Sequence, residues 1–244
     1  MKKVIDNINV NYEFSDIKSD ITLVLLHGWG QNIEMMKPIG DKYLDKFNVL
    51  ILDLPGFGES DEPKTPWTVY EYADFVHRFI ESLGIKKIYL VGHSFGGKIS
   101  LVYASKYKVE KLVGLASPYC KEITKLSFKT KFYKKIKKIK ILTPLANFMK
   151  NKMGSTDYKN ASEIMRGVLV QTVNLDINED VKKISCPTLL VWGTLDTAVP
   201  INRAYELEKM IDNAGVVVYE GATHYAYLER LNNLIRVLNS FFNC

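Results

Sequence analysis

Residues 86–97 read KKIYLVGHSFGG, a β-branched apolar run that gives way to the amphipathic run KISLVYASKY across a serine with a glycine two positions away on each side. A change of hydrophobic period from two to 3.6 over so short a distance means a strand feeding directly into a helix. A turn that sharp holds its central residue in strained backbone angles. It also brings neighbouring main chain so close that the flanking positions have no room for a Cβ. The chain therefore contains at least one strand–turn–helix unit, the building block of a parallel sheet covered by helices.

The rest of the chain repeats that alternation. Strand-like runs fall near 2–6, 9–14, 21–26, 47–53, 86–91, 111–116, 187–192 and 215–220, and helical patterns near 69–83, 96–107, 202–212 and 226–242. The first two runs read as a hairpin. From the third onward the order predicts an α/β fold: an eight-stranded, mostly parallel sheet with helices on both faces. The interval 119–183 is far longer than an ordinary connection of two to six residues. It is expected to be a helical lid inserted after the sixth strand, with 1–118 and 184–244 forming the core domain.

At the glycine-flanked turn, Ser94 reads as a nucleophile whose hydroxyl stands above the sheet, with the Phe95 N–H aimed at whatever it attacks. The competing reading is a turn that only packs or binds phosphate, so partners decide. A serine hydroxyl needs a base, usually histidine, which an acid holds in the correct tautomer. There are four histidines. His93 lies inside the turn with its side chain directed away from the serine, His77 sits on a predicted helix, and His27 opens the loop HGWG. His224 follows a strand and a glycine near the C-terminus and is the base of choice. Asp196 lies just past the apolar run PTLLVWG, at the strand edge where ligands collect in open parallel sheets. The HGWG loop can turn a second main-chain N–H, that of Trp29, toward Ser94 to complete an oxyanion hole with Phe95. Asp53, Pro55, Gly56 and Gly58 in DLPGFGES read as shaping a neighbouring loop.

The motifs HGWG, DLPGFGES, GHSFGG, VWGTLDTAVP and GATHYAYLE, spread over nearly the whole chain, together resemble the α/β-hydrolases. The resemblance implies the α/β-hydrolase fold, with nucleophile Ser94, acid Asp196, base His224, backbone donors Trp29 and Phe95, and no cofactor. It implies a lidded serine hydrolase acting on carboxylic esters of small or medium acyl chains. A thioesterase, a carbon–carbon bond hydrolase or a slow-turnover ligand receptor would use the same residues. Within the superfamily, HGWGQN and DLPGFGES are similar to the pimeloyl-acyl-carrier-protein methyl ester esterases, from which His93 departs, since tryptophan stands there in those enzymes. Serine at position 94 argues against the dehalogenase and epoxide-hydrolase branches, which use aspartate.

Composition adds limits. At 244 residues and 47% hydrophobic content the chain can bury a substantial core. No apolar run reaches the ~18 residues that span a bilayer, and the N-terminus lacks a signal-peptide core, so a cytoplasmic protein is expected. Cys120, Cys186 and Cys244 are too scattered for a disulfide framework and read as thiols. Residues 121–152 hold eleven lysines against one acid, Glu122, a local charge of +10 in a chain of net +6. Phe128, Phe132, Ile136 and Ile139 recur there at helical spacing. This basic lid reads as a solvated face, as a docking patch for an acidic partner or anionic substrate, or as a membrane-surface contact. No nucleic-acid motif accompanies it. Replacing Lys134, Lys135, Lys137 and Lys138 with glutamine separates these readings in kinetic assays: a selective loss on carrier-bound or anionic substrates marks docking, and equal effects on small neutral esters mark a solvated face.

Overall fold

Apolar runs that are buried on both faces become the central strands of a sheet. In the computed structural model, which describes residues 1–121 and 161–244, every residue of β3 (Thr22–Leu26), β4 (Asn48–Leu52) and β7 (Thr188–Gly193) is buried. With β1 (Lys2–Ile5), β2 (Ile8–Ser15), β5 (Ile88–His93), β6 (Lys111–Leu115) and β8 (Ala214–Tyr219) they form one eight-stranded sheet of order β1-β2-β4-β3-β5-β6-β7-β8. The pairs β1–β2 and β2–β4 are antiparallel and the others parallel. Asp6 and Asn7, both at positive φ, make the two-residue turn of the expected β1–β2 hairpin, where a mirror-image turn matches strand twist.

Side chains alternate between the faces as the strand period requires. Val24, Leu26, Leu50, Leu52, Leu90 and Trp192 face one core with helices α2 (Val69–Ser82), α3 (Ser94–Lys106) and α6 (Asn202–Met210). Leu23, Leu25, Val49, Ile51, Val91 and Val191 face the other with α1 (Lys37–Gly40), α7 (Ala226–Glu229) and α8 (Leu231–Phe242). Both faces are covered, which explains why these strands read as continuous apolar runs. Among the described residues no helix is long and apolar enough to cross a membrane.

Two expectations change in detail. The strand predicted to end at Val91 runs on to His93, so α3 begins at Ser94 itself. The single helix expected over 226–242 breaks at Arg230 (φ −122, ψ 33). On both sides of the break the apolar residues reach one core: Ala226 and Tyr227 before it, Leu234, Leu238 and Phe242 after it.

The lysine-rich amphipathic pattern at Phe128, Phe132, Ile136 and Ile139 lies outside the described residues. From the same long interval, α4 (Glu163–Asn174) and α5 (Asn178–Val181) are described. Helix α4 is tied to α3 by Lys98, a lysine only 1% exposed. Its Nζ donates to the carbonyls of Thr172 (2.8 Å) and Leu175 (2.6 Å), which lack acceptors' usual partners because a helix ends there. Burial lowers the Lys98 pKa from the ordinary 10.5 to about 8. Between those two values the unfolded chain binds more protons than the folded one, so this residue makes stability rise with pH across that window. In urea unfolding, the stability of the wild type relative to Lys98→Met is therefore expected to increase from pH 8 to pH 10. A pH-independent difference would contradict a buried, proton-releasing amine.

Candidate active site

Strand β3 has β4 on one side and β5 on the other, so the chain leaves it in opposite directions and opens a crevice at the carboxyl ends of β3 and β5. The register pairs Leu26 with Gly92 and sets the loops starting at His27 and His93 side by side. The main chains nearly touch. Gly96 N–H donates to the His27 carbonyl at 3.1 Å, and a Cβ on Gly96 would collide with the carbonyls of Leu26 and His27, as one on Gly92 would with that of Gly96. The two glycines flanking the serine are thus required by close backbone approach.

Between them Ser94 takes φ +50, the left-handed region that a side-chain-bearing residue enters only under strain. It is also the only residue from 91 to 100 that is not buried. Phe95 lies in the first turn of α3, where main-chain N–H groups have no acceptor within the helix. Trp29 sits in the turn after β3, its ring 4.9 Å from that of Phe57 and 5.4 Å from that of Phe95. Tyr72 extends this aromatic wall, 5.1 Å from Phe95, and Met165 of α4 closes on Gly56.

Asp196 and His224 follow the neighbouring strands β7 and β8. The Asp196 carboxylate is held from both sides. Oδ1 accepts the N–H groups of Ala198 and Val199, each at 2.8 Å, and Oδ2 accepts from His224 Nδ1 at 2.7 Å. The carboxylate side chain is fully buried and the imidazole is 17% exposed. Because Nδ1–H donates to the acid, the neutral His224 ring carries its lone pair on Nε2. The loop bearing His224 also meets the serine turn: His93 Nε2 lies 3.1 Å from the His224 carbonyl oxygen, and the two rings are 4.9 Å apart.

His93 was given no role in the sequence, yet it is fully buried and links three loops. Its other nitrogen lies 3.2 Å from Gln31 Oε1, which accepts the Gly28 N–H at 2.8 Å; the neutral ring has a single N–H, so His93 donates to one of these two oxygens only. Burial depresses its pKa to about 3, so it stays uncharged. A histidine inside the turn was a legible signal; its partner 131 residues away was not. Asp53, read as a loop former, is 2% exposed. It accepts from Ile33 N–H (2.8 Å), Glu59 N–H (2.8 Å) and Asn11 Nδ2 (2.8 Å), pinning the DLPGFGES loop beside the crevice. His77 stacks on Tyr107 at 3.7 Å, away from this site.

The fold matches that of known hydrolases. A family model described as "alpha/beta hydrolase fold" matches residues 21–132 and a second, "TAP-like protein", residues 170–242. The chain belongs to the α/β-hydrolase family. Among similar proteins is the pimeloyl-[acyl-carrier protein] methyl ester esterase of Aliivibrio fischeri, 25% identical over 91% of this chain and 93% of that protein. Another is the proline iminopeptidase of Saccharolobus solfataricus, 29% identical over 99% and 91%. A crystal structure of a membrane phospholipase A, described as a bacterial virulence factor, superposes with a TM-score of 0.80 at 22% identity, over all of this chain and 85% of that one.

Asp53→Ala leaves one buried and two partly buried donors without an acceptor. It is expected to lower the free energy of unfolding by about 2 to 4 kcal/mol in denaturant titration, and a change below about 0.5 kcal/mol would contradict its bracing role.

Proposed function

We propose that this protein is a serine hydrolase that cleaves carboxylic esters of short or medium acyl chains through an acyl-enzyme intermediate. One observation carries the reading: the Asp196–His224 pair, at 2.7 Å with its carboxylate buried, packs through its loop against a turn that holds a serine at φ +50. In this reading His224 Nε2 takes the proton of Ser94 as the hydroxyl attacks the acyl carbonyl. Asp196 fixes the tautomer and stabilises the imidazolium that forms. The N–H groups of Trp29 and Phe95 receive the charge developing on the carbonyl oxygen. The protonated His224 then gives its proton to the departing alcohol. Water, deprotonated by the same nitrogen, attacks the acyl-enzyme and releases the acid and Ser94.

An ester fits what surrounds the serine. The wall made by Trp29, Phe57, Phe95 and Tyr72 is apolar and aromatic, suited to an acyl chain, and the relative from A. fischeri is named for an ester substrate. From the interval read as a lid, α4 rests on the loop at Gly56 and would border this site; residues 122–160 of that interval lie outside the described residues. A thioester would be cleaved by the same steps with a thiol as leaving group. The S. solfataricus relative is named a proline iminopeptidase, so a prolyl arylamide belongs in the assay panel beside esters and thioesters.

Ser94→Ala is expected to abolish labelling by a fluorophosphonate probe and to reduce p-nitrophenyl butyrate hydrolysis to background. Asp196→Asn, with the wrong tautomer at His224, is expected to lower kcat by about 10³- to 10⁴-fold. Unchanged hydrolysis in Ser94→Ala would end the catalytic assignment, and a prolyl arylamide turned over faster than any ester would replace the ester reading.

A further inference from the structure

The peptide unit joining Gly28 to Trp29 is a rigid trans plane, so its carbonyl and its N–H point in opposite directions. Whatever fixes the Gly28 carbonyl also fixes the direction of the Trp29 N–H. The residue that does so is His27. Its ring is fully buried, and its Nε2 lies 3.0 Å from the Leu54 amide nitrogen. A main-chain amide can only donate, so Nε2 carries the lone pair. In a neutral imidazole the proton is then on Nδ1, and Nδ1 lies 2.7 Å from the Gly28 carbonyl oxygen. Burial keeps the ring neutral by drawing its pKa down to about 4. Gln31 N–H donates to the same carbonyl at 3.3 Å.

We infer that His27 is a positioning residue for the oxyanion hole: its Nδ1–H locks the Gly28–Trp29 peptide plane, so that the Trp29 N–H faces the oxygen that becomes negative during ester cleavage. This rests on the reading of Trp29 as an oxyanion donor. The need for a lock follows from the local sequence. The Gly28–Trp29 plane turns about ψ of Gly28 and φ of Trp29, and Gly28, having no Cβ, allows that rotation at little steric cost. A rotated plane would replace the N–H with a carbonyl dipole that repels the oxyanion. The second ring nitrogen adds a further constraint: by accepting from Leu54, directly after β4, the ring is itself prevented from swinging away. His27 touches no substrate in this account and acts only through the peptide it holds.

Two isosteric variants separate the ring's functions. In His27→Asn the amide nitrogen falls near the position of Nδ1 and retains the donor to Gly28. In His27→Gln the side chain reaches only the Nε2 position and keeps the partner of Leu54. With p-nitrophenyl butyrate, His27→Gln is expected to lower kcat about 10²- to 10³-fold, the effect of losing one oxyanion donor, with KM changed by less than about threefold. His27→Asn is expected to stay within about tenfold of wild type. Equal kcat losses in the two variants, or losses expressed in KM, would overturn the inference. The wild-type protein supplies a test that needs no variant: NMR of ¹⁵N-histidine-labelled protein should show His27 as the Nδ1–H tautomer, and an Nε2–H tautomer would overturn the lock directly. Fluorophosphonate labelling of Ser94 distinguishes the two levels. If Ser94 is labelled while His27→Gln retains full kcat, the lock alone fails; if Ser94 is inert, the hydrolase reading beneath it fails.

Discussion

The hydrogen bond from Gly96 N–H to the His27 carbonyl, 3.1 Å long, marks the place where the helix beginning at Ser94 abuts the end of the neighbouring strand. Parallel pairing of β3 with β5 puts Leu26 opposite Gly92, and every later feature of the site is measured from that register. The loop bearing Trp29 leaves one strand and the turn bearing Ser94 leaves the other, at the one point in the sheet where the chain departs in both directions. Backbone approach this close excludes side chains at positions 92 and 96 and forces Ser94 into the left-handed region. The strain is local, and the buried strands on both sides hold it in place.

Around that point the loops are held by buried polar side chains that bind main chain. Asp53 gathers the segments near Asn11, Ile33 and Glu59. Asp196 binds the two amides that follow it before it reaches His224. His27 and His93 do the same for the loops after β3 and β8. Each group would be costly to bury without partners, so each also specifies one arrangement of its loop. Three of the four histidines, His27, His93 and His224, thus meet at one rim of the sheet with different duties. Burial holds the first two neutral as braces, and the third keeps an edge open to solvent. Lys98 extends the pattern to α4, joining the helix that begins at Ser94 to one that rests on the loop beside the aromatic wall.

The strands and most helices could be read directly because their signals are local: fully apolar runs for strands covered on both sides, and a 3.6-residue period for the helices. The serine turn was readable for the same reason, since the glycine spacing reports a steric demand made within five residues. The break at Arg230 was not readable, because both halves carry helical periodicity and bury their apolar residues in one core. The roles of His93, Gln31 and Lys98 were hidden more deeply. Their partners, the carbonyls of His224, Thr172 and Leu175 and the amide of Gly28, are main-chain atoms, and every residue carries those.

What the sequence determined alone is therefore what sterics and periodicity impose on neighbours in the chain: the layered α/β architecture, the hairpin at the start, and a serine raised on a turn that only glycine can flank. The tertiary structure decided which side chains meet. It joined Asp196 to His224 across 28 residues and His93 to the His224 carbonyl across 131, and it chose which nitrogen of His27 bears the proton by placing the Leu54 amide against the other. Those outcomes depend on strand order and register. The physical reason is that hydrogen bonds between distant segments are set by where the sheet places its strand ends, a quantity no local stretch of residues contains.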